Sequence, residues 1–174
     1  MSLVIAETNA DPPLTDEVLF DNYRRVEPCL TARNIRWHRS FLSSDRHRMI
    51  CVFEAPDAES VREAYRRQGL PSRLVWTSSL IRPEPNKVLD DVKALQVIEG
   101  SYPPLSASDW SEISHNLSAY CAAHDIEWRH SYMSLDRKKV IYELNAPTLE
   151  LVQGAPHKSE VPFSRVWSAR VLSN

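Results

Sequence analysis

Ile35-Arg36-Trp37-His38-Arg39-Ser40-Phe41-Leu42-Ser43 and Ile126-Glu127-Trp128-Arg129-His130-Ser131-Tyr132-Met133-Ser134 are one segment written twice, 91 positions apart from Trp37 to Trp128. The same spacing pairs Pro12-Pro13-Leu14 with Pro103-Pro104-Leu105, Asp45-Arg46 with Asp136-Arg137, Ala55-Pro56 with Ala146-Pro147, and Val75-Trp76 with Val166-Trp167. No gap is needed between these points, so the halves share one fold. A repeat this long is domain-sized and not a solenoid unit. The division expected is residues 1–82 for the first repeat, 83–93 for a Pro-rich polar connector, and 94–174 for the second repeat.

Working outward from the Ile-x-Trp segments, each alternates as a strand and runs into Ser-x-Asp-Arg, a hairpin signal. The returning strands are Arg48–Phe53 and Lys139–Leu144, each ended by Ala-Pro. Upstream, short β-rich runs (Leu3–Glu7, Leu95–Glu99) lead through Pro-Pro to Thr15 or Ser106, hydroxyls placed to cap a helix. Leu19, Tyr23, Val26 and Leu30 then fall on one helical stripe, as do Trp110, Ile113, Leu117 and Cys121. A second helix begins at Asp57 and is stopped by Gly69 ahead of Pro71; in the second half Gly154 and Pro156 leave its counterpart only about two turns. Final strands centre on Val75-Trp76 and Val166-Trp167. The order is β-α-β-β-α-β twice, an α+β chain of two tandem ferredoxin-like units. A sheet with helices on one face needs cover on the other. The expectation is therefore two units packed sheet to sheet, a single-chain version of a dimeric α+β barrel, with the default pocket between the sheets.

Composition narrows the partners. A net charge of −2 without a basic stripe argues against nucleic acid. No apolar run reaches membrane-spanning length, and the N-terminus lacks a signal-peptide pattern. Cys29, Cys51 and Cys121 are unevenly spaced, which reads as buried thiols in a reducing compartment, so the expected location is cytoplasmic. The three glycines (69, 100 and 154) make no phosphate-cradling loop, and no hydroxyl sits in a nucleophile motif.

Several stretches together resemble the nickel-binding-protein-like family of small ferredoxin-fold domains. They are Pro13-Leu14-Thr15, Trp128-Arg129-His130-Ser131-Tyr132, Ser43-Ser44-Asp45, Cys51-Val52-Phe53-Glu54-Ala55-Pro56 and Gly69-Leu70-Pro71, with Val97-Ile98-Glu99 on a first strand. The likeness covers about 80 residues in each half. It implies a divalent metal such as nickel, with imidazole and carboxylate donors. His130 matches the pattern's histidine, Glu99 approximates its first-strand glutamate, and with Glu143, a nearby carboxylate, they are the metal candidates. In the first repeat Arg39 stands where the second has His130, and Cys51 and Glu54 face Tyr142 and Asn145.

Strict alternation would put Ile126, Trp128, His130 and Tyr132 on one strand face, and Ile35, Trp37, Arg39 and Phe41 on its equivalent. By that reading Trp37, Trp128, Tyr132 and Asn145 line a pocket, Glu54 and Glu143 stand on the variable polar face, and Cys51 belongs to the helix-facing core. The resulting expectation is a protein binding a small ligand or a nickel-like divalent cation in one composite, asymmetric site between the repeats. An alternative is a cofactor-free barrel enzyme (oxygenase, isomerase or cyclase) on a small, partly apolar organic substrate, with His130 as acid or base and Arg39 or Glu54 positioning charge. A third is a non-catalytic assembly module, and a homo-oligomer is compatible with each. The everyday reading of His130, a half-buried histidine beside aromatics, stands next to these.

Overall fold

The computed structural model describes residues 1–71, 74–83, 95–155 and 163–173. Most of the expected connector and Pro156 lie outside them. Two compact units emerge, Met1–Ser78 with Arg170–Asn174, and Ser79–Ala169. The first sheet comprises β1 (Ser2–Asn9), β2 (Arg36–Ser43), β3 (Arg48–Ala55) and β4 (Leu74–Ile81), hydrogen-bonded in the order β4-β1-β3-β2. The second repeats it with β5 (Leu95–Ser101), β6 (Glu127–Ser134), β7 (Lys139–Asn145) and β8 (Arg165–Ser173), in the order β8-β5-β7-β6. These pairings are antiparallel. Helices α1 (Asp16–Ala32) and α2 (Ala58–Arg67) belong to the first repeat, α3 (Ala107–Ala123) and α4 (Leu149–Gln153) to the second.

Local chemistry accounts for the boundaries. Thr15 caps α1 by accepting from the Val18 N–H, and Ser106 caps α3 in a reciprocal box with Asp109. Asn34 and Asp125, one repeat apart, take left-handed backbone (φ 57° and 58°) just past α1 and α3. Gly69 does the same after α2 at φ 61°, where a side chain would be strained. In the hairpins the Ser43 and Ser134 hydroxyls donate to Asp45 and Asp136 (2.5 Å each), and Arg46 and Arg137 take the left-handed turn position. α4 is short, as Gly154 predicts.

One expectation fails at the centre of the deciding segment. A β-bulge shifts the β2/β3 register, so Trp37 lies opposite Phe53 but Arg39 opposite Val52 and Ser40 opposite Cys51. The same shift separates Trp128, opposite Leu144, from His130, opposite Glu143. The extra residue, His38 or Arg129, breaks the two-residue period. Trp37 and Trp128 therefore share the helix-facing side with Ser40 and Ser131, not with Arg39, Phe41, His130 and Tyr132. Two indole bonds pin the bulges: Trp37 Nε1 donates to Ser40 Oγ and Trp128 Nε1 to Ser131 Oγ, both at 2.9 Å.

Each unit has its own helix-side core. In the first it gathers Val4, Ala6, Val26, Leu30, Phe53, Val61 and Tyr65. In the second it gathers Ile98, Leu117, Cys121, Trp128, Tyr142 and Leu144. Among the described residues no helix is long and apolar enough to cross a membrane.

Candidate functional site

The cavity that matters lies within the first unit, between α1 and the helix-facing side of its sheet. It measures about 510 Å³, inside the range of small-molecule sites. Trp37, Ser40, Met49, Cys51 and Phe53 form its sheet wall, Leu19, Tyr23, Val26 and Leu30 its α1 wall. Tyr65 closes it from α2, and the end of β8, Arg170–Ser173, borders it.

The polar groups of the sheet wall are chained to one another. Trp37 Nε1 donates to Ser40 Oγ (2.9 Å), and Ser40 Oγ donates to Cys51 Sγ (3.0 Å), which also hydrogen-bonds the Tyr65 side chain. Burial pushes the Cys51 thiol above its ordinary pKa, outweighing the hydrogen bonds, and pushes the Tyr65 hydroxyl well up. Both stay neutral at pH 7, so Cys51 offers no thiolate to a metal or an electrophile. At the rim Asp16 pairs with Arg46 (2.6 Å) and Arg170 (2.9 Å), and those two arginines hold its carboxyl below the usual range.

Among the described residues the second unit places rings in the same place. Tyr142 stands where the first unit has Cys51, stacked on Trp110 (centroids 6.2 Å apart) and flanked by Trp128 and Phe163 at 6.0 and 5.5 Å. Its hydroxyl meets that of Tyr102 at 2.9 Å. Tyr102 donates its N–H to Lys138 O as Ala10 does to His47 O, so it occupies the place of an alanine.

Trp128 apart, the other sequence candidates lie on the sheet faces turned away from the helices. His130 Nδ1 approaches Glu143 Oε2 at 3.4 Å, and Arg129 reaches the other carboxylate oxygen at 3.9 Å. Glu143 is 1% exposed and stands where the first repeat has Val52. Glu99 accepts from Trp167 Nε1 at 2.7 Å, and its counterpart Glu7 accepts from Trp76 Nε1 (2.7 Å) and Arg48 (2.6 Å). These Trp–Glu bonds tie the first strand of each repeat to its last. Glu54 pairs with Arg36 at 2.8 Å, with His38 at 3.4 Å, and stands opposite Arg36 in the ladder; Arg39 stacks over Phe41 at 5.4 Å. Asn145 is buried and donates to Glu127 (3.2 Å), Tyr132 is 1% exposed, and Trp128 is core. The structure thus brings His130 to Glu143 and sets Trp37 on the cavity. Among the described residues no three His, Cys, Asp or Glu side chains gather as a metal site.

Residues the sequence reading passed over are Tyr23, Ser40, Met49 and Tyr65. The one available signal was Trp-x-x-Ser in both repeats, since three-residue spacing puts both side chains on one face only across a bulge.

Residues 4–77 match the sequence model of a family described as Nickel responsive protein SCO4226-like. The first repeat carries that family's pattern. The resemblance seen in its residues is thereby shown for that repeat. No curated protein matches the chain. Among solved structures, SCO4226 from Streptomyces coelicolor A3(2) is 15% identical, with 42% of this chain and 91% of that one covered and a TM-score of 0.39. A mutant chlorite dismutase from Candidatus Nitrospira defluvii is 11% identical, with 97% and 90% covered and a TM-score of 0.55. A heme-binding protein from Thermus thermophilus is 10% identical, with 98% and 90% covered and a TM-score of 0.48. The likeness to the chlorite dismutase is one of fold: the chain is α+β, of the dimeric α+β barrel class expected for tandem ferredoxin-like units.

Proposed function

We propose that this chain is a small-ligand-binding protein whose site is the cavity of the first unit. One observation carries the reading: of two copies of one fold, the first keeps about 510 Å³ open where Cys51 replaces the tyrosine that fills the second. Among the described residues a cluster of rings occupies that place in the second copy, and a pocket at the same place in the first is what a binding role explains. The test is a thermal-shift screen of small organic compounds against the wild type and Cys51→Tyr. Compounds should raise the Tm of the wild type and leave the variant unmoved. If none stabilises the wild type, and Cys51→Tyr is itself destabilised as an overfilled core would be, the reading falls.

A second reading concerns the divalent cation that the family match on the first repeat suggests. His130 and Glu143 supply an imidazole and a carboxylate, a suitable pair for nickel, with water completing the sphere. Arg39 in the equivalent place cannot act as a donor and would repel a cation. Titrating nickel should then give one ion per chain, lost in His130→Ala; two equal sites, or binding unchanged by that substitution, would remove His130 from the account. The same pair would serve an enzyme, with the His130 imidazole exchanging a proton 3.4 Å from the Glu143 carboxylate. Three free cysteines, two of them buried, support a cytoplasmic location.

A further inference from the structure

We infer that the occupant of the first unit's cavity is an uncharged, planar aromatic molecule of two or three rings, held by ring and sulfur contacts and not by hydrogen bonds; this rests on the ligand-binding reading above. The first ground is that the side-chain donors of the sheet floor are already committed. Trp37 is committed to Ser40, Ser40 to Cys51, and Thr8 Oγ1 to Pro71 O at 3.0 Å. None of the buried side-chain polar atoms that lack a partner among the described residues lies on this cavity. A ligand carrying a carboxylate or carbonyl onto such a floor loses its water and meets no free donor there, a cost that grows steeply with charge.

The second ground is the wall chemistry. Tyr23 and Trp37 meet at 5.3 Å with their planes tilted by 50°, and Phe53 and Tyr65 meet edge to face at 6.1 Å. A flat guest can meet rings on both sides in the offset and edge-to-face arrangements that aromatic quadrupoles favour. Met49 and Cys51 add polarisable sulfur to the same wall. An aliphatic chain of equal volume would displace as much water but gain none of these contacts. The third ground is charge. The ionic groups on the cavity's border, Asp16 and Arg170, are paired with each other at its rim, so a charged guest would meet no free counter-ion in the floor.

The experiment is calorimetric titration of the full chain with three probes: 2-methoxynaphthalene, 2-naphthoate and 1-decanol. The neutral aromatic should bind at least tenfold tighter than either the anion on the same ring system or the aliphatic alcohol. Cys51→Tyr should abolish that binding. Leu19→Trp, which copies Trp110 of the second unit onto α1, is the independent blocking variant should Cys51→Tyr fold poorly. Equal or tighter binding of naphthoate or decanol, blocked by either variant, overturns the aromatic assignment and leaves the site standing. Binding of methoxynaphthalene that neither variant weakens overturns the site along with it, as does no binding of any probe.

Discussion

On the helix-facing side of the first unit the sheet ends in the thiol of Cys51, and about 510 Å³ stays open above it. In the second unit the same strand position carries Tyr142, and Trp110, Trp128, Phe163 and Tyr102 close around its ring. Hairpins, bulges and strand order are otherwise alike. Backbone and interior were thus free to diverge separately. A ferredoxin-like frame is held by its ladders and turn residues, so one copy can be filled for stability while the other is left hollow.

The comparison breaks most sharply if the filled copy is emptied. Tyr142→Cys removes a fully buried ring and strips Tyr102 of its hydroxyl partner. By the scale of aromatic core truncations it should cost about 4 kcal/mol, read as a lowered midpoint in urea. A loss below about 1 kcal/mol would mean that the second core is not the better filled of the two.

Alkaline pH should weaken the filled unit next. Burial pushes Cys121 up to about 12 from an ordinary 9.0, while Leu30 in its place in the first unit cannot ionise. With the folded pKa raised, this thiol's share of stability is whole below pH 9 and is lost as the pH climbs toward 12. By pH 11 the loss is about 3 kcal/mol at 1.36 per unit. Chemical denaturation from pH 8 to 11 should fall more steeply for the wild type than for Cys121→Val; parallel slopes would refute the account.

A smaller effect is expected at Gly100, which lies under the ring of Tyr102. A Cβ there would come within 2.6 Å of Tyr102 Cζ, whereas the first unit tolerates Thr8 at the same place. Gly100→Ala should cost about 2 kcal/mol through overpacking, and combining it with Tyr102→Ala should recover part of that loss. Smallest is the capping contrast. Ser106 serves a reciprocal box and Thr15 a single bond, so Ser106→Ala should cost about 1 kcal/mol and Thr15→Ala less. Equal costs would show that the Asp109 half of the box adds nothing.

Much of this was legible beforehand because it is local chemistry. The 91-residue spacing from Trp37 to Trp128, the Thr15 and Ser106 caps, the Ser-x-Asp-Arg hairpins and the Gly69 stop each act within a few residues of chain. They sufficed for the β-α-β-β-α-β order of both halves. The strand faces were misread at one point, since a period of two cannot register a bulge, and the extra residue at His38 and Arg129 reverses everything before it. That reversal moved Trp37 and Trp128 to the helix side and left Arg39 and His130 on the other. The approach of His130 to Glu143 follows from the same shift, because it depends on which residue of β7 the bulge sets opposite.

By itself the sequence determined the repeat, the elements and the neutral apolar character of Cys51, because propensity, capping and turn chemistry are carried by short stretches of chain. The cavity beneath α1 of the first unit comes from tertiary packing alone. A cavity is the volume left when side chains from α1, α2 and the strands of one unit fail to meet. That shortfall is a sum over residues far apart in the chain, and no segment of the sequence contains it.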